Sequence, residues 1–332
     1  MPSPALIFDT LGASMRSSAL HGAIKLDLFT AIADGNKTVS AIAARIQASE
    51  KGTRVLCDFL TIIGFLTKQG DEYSLTTDSN VFLNRHSPAY MGSVSDFIVE
   101  IGQKNGAFDD MAALVRKGGT LLTEETVTVE NPLWVNFARN MAPLMAMPAE
   151  RIADLLGAAD ARPWKVLDIA AGHGLFGITI ARKNPNAHIV ALDWAPVLEV
   201  ARENAAKAGV ADRHTLLPGS AFEVDFGQGY DIVLLTNFLH HFDQPTNEQL
   251  LRKAHAALAP GGRVLTFEFI PDENRITPPA DAMFAMTMLG STKSGDAYTF
   301  AEYDRMFHNA GFARSEMHTL TPLPNRVIVS YK

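Results

Sequence analysis

The chain has 332 residues, 47% of them hydrophobic and 20% charged, which is ordinary globular usage for about two domains and excludes a disordered polyelectrolyte. A formal net charge of −7 gives no support to a polyanionic partner such as nucleic acid, and the single cysteine, Cys57, excludes an intramolecular disulfide and a cysteine-rich zinc site. With no secretory signal and no run of ~20 apolar residues, the expectation is a soluble cytoplasmic protein that neither enters nor spans a membrane.

Residues 14–33 (SMRSSALHGAIKLDLFTAIA) carry apolar side chains at helical spacing and predict one helix, stopped by Asp34-Gly35-Asn36. Thr38 opens a second helix, and a third over about 51–63 ends at Gly64, the left-handed position after a helix. Residues 65–68 and 73–75 flank Gln69-Gly70-Asp71-Glu72, a hairpin signal. Three helices and a small β-wing form a winged-helix pattern. Its third helix, RVLCDFLTIIGF, is too apolar to read DNA, and residues 1–90 hold eight basic and eight acidic side chains. A duplex-binding face needs a basic excess, so protein–protein association is the better reading.

Helices are expected over 97–103 and 107–115, then a polar stretch 123–131, then a helical region 132–156. From Trp164 the texture changes. VLDIA, HIVALD, DIVLLTN and RVLTFEF are short apolar runs separated by helix-like segments, as buried parallel strands are. TNEQ from Thr246 and TFAE from Thr299 match the capping box at helix starts. Two antiparallel strands, 314–319 and 326–331, close the chain around Thr321-Pro322-Leu323-Pro324-Asn325.

The chemistry centres on VLDIAAGHGLFG, residues 166–177: a strand, a glycine turn at Gly172 and Gly174, then a helix. Asp193 ends the next strand, placed to take both hydroxyls of a ribose. Gly172, Gly174 and Gly177 also satisfy G-x-G-x-x-G, so an NAD-dependent oxidoreductase is an alternative. Three features favour S-adenosylmethionine (SAM). Asp168, four residues before Gly172, suits the cationic amino-acid end of SAM and would repel a pyrophosphate. A helical module precedes the α/β region, and an antiparallel strand pair ends it.

These motifs, with LPGSAF, LLTNFLHHFD and PGGRVLTFEF, resemble the SAM-dependent small-molecule O-methyltransferases of the plant caffeate/flavonoid type and their bacterial polyketide- and phenazine-tailoring relatives. The resemblance spans nearly the whole chain. It implies an α/β fold: a Rossmann-like methyltransferase domain over 155–332, a winged-helix dimerisation domain over 1–95 that forms a homodimer, and linking helices over 96–154. It implies SAM held by Asp168, Ala170, Gly172, Gly174, Asp193, Trp194, Gly219, Ser220, Ala221, Phe222 and Asn237. His240 would be the general base, since an imidazole near neutrality can take and release a proton, and Glu268 would orient it. Small-molecule acceptor contacts would come from Phe137, Met141, Met145, Met283, Met286 and Met288. No metal is implied.

Some positions depart from the family. Ser220 stands where Asp is usual, Thr236 where Lys is common, His241 where Asp follows the base, and Ala297 where a second glutamate is expected. His241 is read as structural. A non-catalytic SAM-binding or DNA-binding regulator is the further alternative.

Overall fold

In the computed structural model, which describes residues 2–99, 106–122 and 132–332, the chain divides into two units, residues 1–100 and 101–332, each with a core of its own. The first unit runs α1 (Ala5–Leu11), α2 (Ala13–Lys25), α3 (Leu28–Ala33), α4 (Val39–Arg45), α5 (Glu50–Ile62), β1 (Leu66–Gln69), β2 (Glu72–Leu75), α6 (Thr77–Phe82) and α7 (Val94–Val99). The single helix expected over 14–33 is two helices. Asp27 adopts φ 57° between them, a left-handed conformation that Asp tolerates better than most residues. The break has a packing reason. Leu28, Phe29, Ala31 and Ile32 are all buried, so α3 must turn into the core, whereas α2 buries only Ala23 and Ile24.

Thr38 caps α4 by accepting from the Ala41 amide, and Gly64 follows α5 with φ 88°. The β1–β2 hairpin is pinned to α5 through Asp58, whose Oδ1 accepts from Lys68 and from the Tyr73 hydroxyl, both at 2.7 Å. Of the helix expected over 97–103, α7 covers the start. Residues 100–105 and the polar stretch 123–131 lie outside the described residues.

In the second unit, α8 (Met111–Lys117) begins later than the 107–115 expectation, because Asp110 caps it by accepting from the Ala113 amide at 2.8 Å. The region 132–156 is two helices, α9 (Leu133–Asn140) and α10 (Ala142–Leu156). They part at Met141, beside Pro143, which has no amide proton to continue the α9 ladder. Strands and helices then alternate: β3 (Lys165–Ile169), α11 (Leu175–Lys183), β4 (His188–Asp193), α12 (Ala195–Lys207), β5 (His214–Pro218), β6 (Tyr230–Thr236), α13 (Gln244–Ala257), β7 (Leu258–Glu268), α14 (Pro279–Ser291), α15 (Phe300–Asn309), β8 (Arg314–Thr319) and β9 (Arg326–Tyr331).

The seven-stranded sheet has the order β5-β4-β3-β6-β7-β9-β8, with β5 to β7 parallel and β9 antiparallel to both its neighbours. This is the expected Rossmann-like arrangement. Strand β3 is buried on both faces. Leu167 and Ile169 share one core with Leu250 and Leu251 of α13 and Tyr303 and Phe307 of α15, while α11 packs against β3 and β4, α12 against β4 and β5, and α10 against α11. The chain order reverses between β3 and β6, which opens a crevice at the carboxyl ends of those strands.

One capping expectation holds and one does not. Thr299 and Glu302 form the reciprocal box at α15. At α13 the cap is Asp243, which accepts from the Thr246 amide at 2.9 Å, so Thr246 lies inside the helix. Pro245 explains the shift, since it fits the first turn of a helix. Asp243→Ala should therefore cost about 0.5–2 kcal/mol of stability, and Thr246→Ala clearly less, in urea unfolding. Equal losses would restore Thr246 as the cap.

Candidate active site

The carboxyl ends of β4, β3 and β6 lie side by side, so the turns that leave them meet in one crevice. After β3 the backbone must fold back sharply to start α11. It does so with left-handed residues at Ala170 (φ 55°), Gly172 (58°) and Gly174 (73°). Glycine adopts this conformation freely, whereas Ala170 holds it at a cost, a strain of the kind stored at functional sites. Asn237 (φ 53°), just after β6, is a second such residue on the same crevice. His173 was not anticipated as a structural element of this turn. Its Nδ1 accepts from the amide of Leu175, the first residue of α11, at 3.1 Å, and burial lowers its pKa to about 4.

Two carboxyl groups sit below the turn. Asp193 accepts from the Gly172 amide through Oδ2 at 2.8 Å and from the Trp194 amide through Oδ1 at 2.7 Å. Each oxygen keeps a lone pair for a ligand. Asp168 is fully buried. Its Oδ2 accepts from the Gly177 amide at 3.1 Å, and its Oδ1 has no partner among the described residues. Burial raises Asp168 to about 7 despite the Gly177 amide, and the nearby Asp193 adds to the rise. Burial likewise raises Asp193 to about 6.

Two adjoining cavities occupy the crevice. The larger, about 400 Å³, is lined on one side by Ala170, Asp193, Trp194 and Gly219 to Glu223, and on the other by Thr120 and Ser291 to Ser294. The smaller, about 60 Å³, lies between Trp134 and Phe137 of α9, Gly172, and Asn237. Phe238 and His241 line both. Asp168 and Gly174 stand behind the turn and line neither.

After β6 the chain forms a 3₁₀ turn, Leu239–His241, held from three directions. Glu268, at the end of β7, accepts from the Phe238 and Leu239 amides through Oε1, both at 2.8 Å, and from His240 Nδ1 through Oε2 at 2.5 Å. Asn247 of α13, fully buried, donates to the carbonyls of Leu239 and Phe242. Gly295 passes so close that a Cβ there would collide with the His240 carbonyl. The His240 ring is buried against Phe284 and His241 and lines neither cavity; His241 lines both.

Several acceptor residues from the sequence lie elsewhere. Met283 and Met286 on α14 are 67% and 49% exposed and line neither cavity, because the apolar character of α14 wraps around it without a single buried face. Met141, Met145 and Met288 are buried, and Met145 accepts from Asn237 Nδ2 through sulfur at 3.7 Å. At the missing second glutamate, Ala297 is fully buried and Asp296 pairs with Arg275, so Glu268 is the carboxylate that serves His240 among the described residues. Trp134 was overlooked, although its spacing to Phe137 marks one helix face. Thr120 carries no sequence signal at all. Among the described residues no three His, Cys, Asp or Glu side chains converge to hold a metal.

The raised pKa of Asp168 has a sign that can be tested. A carboxyl raised from 3.8 to about 7 favours folding while protonated and withdraws that support as pH climbs through 7. Asp168→Asn cannot ionise. Its melting temperature relative to wild type, without ligand, should therefore rise by at least about 3 °C between pH 5 and pH 8. A difference independent of pH would mean that Asp168 is not strained by burial.

The comparisons with known proteins agree with this geometry. An O-methyltransferase domain profile matches residues 136–313, and an O-methyltransferase dimerisation profile matches residues 8–85. The chain is 25% identical to the 3-hydroxy-5-methyl-1-naphthoate 3-O-methyltransferase of Streptomyces sahachiroi, over 99% of this chain and 95% of that one. A crystal structure of a candidate O-methyltransferase from Nostoc punctiforme is 52% identical over the whole of both chains, with a TM-score of 0.95. Human N-acetylserotonin methyltransferase, solved in complex with SAM, is 21% identical over 99% of this chain and 97% of that one, and shares the fold at a TM-score of 0.85. With a sheet that presents a glycine turn and paired carboxyls at its crevice, and with both profiles matched, the chain belongs to the SAM-dependent O-methyltransferase family.

Proposed function

We propose that this protein methylates a hydroxyl group of a small aromatic or polyketide-like acceptor, with His240 as general base. The observation that carries the reading is the Glu268–His240 pair. Glu268 accepts the Nδ1 proton, which leaves Nε2 as the nitrogen able to take a proton from the acceptor hydroxyl. SAM supplies a methyl group already activated by its sulfonium. The protein then has to align the hydroxyl with that methyl and remove one proton.

The residues present fit SAM. The unpartnered Asp168 Oδ1 and the Asp168–Asp193 pair leave a buried carboxyl site that a cation relieves and a pyrophosphate would aggravate. Asp168 would act on the amino-acid end from behind the glycine turn, through Ala170, Gly172 and Gly174. Asp193 would take the ribose hydroxyls. Trp194, Gly219, Ser220, Ala221 and Phe222 would enclose the nucleoside, with Asn237 across the crevice. Phe137 and the buried Met141 and Met145 would shape the acceptor end.

We also read residues 1–95 as the dimerisation domain, 96–154 as linking helices that contribute to the acceptor pocket, and 155–332 as the methyltransferase domain. The dimerisation profile supports a homodimer. On α1 and at the start of α2, Leu6, Ile7, Phe8, Leu11 and Met15 are 62–76% exposed, an apolar surface that a second copy would bury in a twofold interface.

Separated roles are the test. His240→Ala should lower turnover about 10²–10⁴-fold and leave S-adenosylhomocysteine affinity within a few fold. Glu268→Gln should lose less, since it acts through the imidazole. Asp193→Ala should instead weaken S-adenosylhomocysteine binding by about 1–3 kcal/mol in calorimetry. Wild-type turnover in His240→Ala on an authentic acceptor would end the proposed mechanism. For assembly, sedimentation should give a dimer at micromolar concentration, and Phe8→Glu should shift it toward monomer. An active wild-type monomer would sink that part.

A further inference from the structure

The turn that carries His240 is held at both ends. Glu268 fixes its start through the Phe238 and Leu239 amides. Its end is the Phe242 carbonyl, which accepts from Asn247 Nδ2 at 3.3 Å and from the Tyr298 hydroxyl at 2.6 Å. His240 lies between these anchors, so a rotation of the turn that would swing its ring is opposed from both sides. The chemistry above assigns Tyr298 no part.

Tyr298 is built into this place. It is 4% exposed, and its ring meets that of the fully buried Tyr303 edge-on, with centroids 5.8 Å apart and planes at 83°. Burial, reinforced by Asp296, raises its pKa, so the hydroxyl stays protonated and remains a donor. The residue just before it, Ala297, brings no carboxylate to the turn. Earlier in the same segment Gly295 packs against the His240 carbonyl, and Thr292 to Ser294 line the larger cavity. One segment thus walls the crevice and supports the base, while Tyr298 itself lines neither cavity.

We infer that Tyr298 is a positioning residue for the base, and that its hydroxyl, by holding the Phe242 carbonyl, sets the orientation in which His240 presents Nε2 to the acceptor. It touches neither the acceptor nor SAM and removes no proton. The inference rests on His240 being the base. Removing the hydroxyl alone leaves the Phe242 carbonyl its bond from Asn247, so no buried acceptor is orphaned and the fold is kept. What goes is the shorter of the two restraints on the end of the turn.

The test uses a matched pair of phenols that the wild-type enzyme methylates. One is neutral at the assay pH, and the other is a nitro-substituted counterpart that is already ionised and needs no base. Tyr298→Phe should lower kcat about 10-fold on the neutral phenol and less than about 2-fold on the ionised one. S-adenosylhomocysteine affinity and melting temperature should stay close to wild type. A merely structural role would lower both rates together. Equal losses on the two phenols, no loss on either, or a fall in S-adenosylhomocysteine affinity overturns the inference. His240→Ala on the same pair reports on the base, and it should lose most on the neutral phenol. Equal losses there end the reading of His240 as base, and the role of Tyr298 with it. If His240→Ala discriminates between the two phenols while Tyr298→Phe does not, only the role of Tyr298 falls.

Discussion

Glu268 is the group on which the site depends. Its carboxylate sits at the end of β7 with its side chain fully buried, and it accepts three hydrogen bonds, two from backbone amides at the exit of the neighbouring strand β6 and one from His240. One side chain therefore both shapes the turn after β6 and fixes the imidazole within it. A buried carboxylate is tolerable only when its oxygens are occupied in this way. Neighbouring parallel strands make it possible, because β6 and β7 bring the end of one strand against the exit of the other. Asn247 and Gly295 complete the clamp from a helix and a loop. Precision at His240 is thus a property of the carboxyl ends of two interior strands, β6 and β7.

The opposite side of the crevice is built on stored cost. Asp168 is fully buried and Asp193 half-buried at the cavity wall; desolvation raises both carboxyls, and they are close enough to oppose each other. Left-handed Ala170 and Asn237 add backbone strain at the same strand ends. The rest of the domain bears this load. Leu167 and Ile169, on the strand that carries Asp168, are fully buried in a core that reaches α13 and α15. A cationic, hydroxyl-rich ligand bound as proposed would relieve the strain and so link binding to stability at this point.

Aromatic residues finish the enclosure. Phe222, Phe238 and Phe242 meet one another with centroids 5.0–6.5 Å apart, and Trp134 meets His241 edge-on. Such walls are apolar and stiff, so the few polar groups that reach the cavities carry the selectivity. That leaves His241, at a position where the family usually has Asp, in a wall of aromatic rings.

Much of this was legible in the sequence. Buried parallel strands announce themselves as runs of Val, Ile and Leu, and their limits agree with the structure to within a few residues. The glycine turn and the acid nineteen residues beyond Gly174 are local signals, since a sharp turn and a strand-end acid are decided by neighbours in the chain. Helix breaks were harder. Asp27 and Met141 interrupt apolar patterns that are continuous along the chain, because the decision to turn comes from what each helix packs against. Thr246 yielded its cap to Asp243 for the more local reason of Pro245. The cavity walls were the least legible. Met283 and Met286 suit an acceptor by composition but face solvent, while Thr120 and Trp134 enter the crevice with little to mark them. Chain-local chemistry determined the strands, the turn and the two carboxyls. Which side chains share a cavity, and which of two adjacent histidines faces it, depends on rotation of a single turn, and only long-range packing sets that rotation.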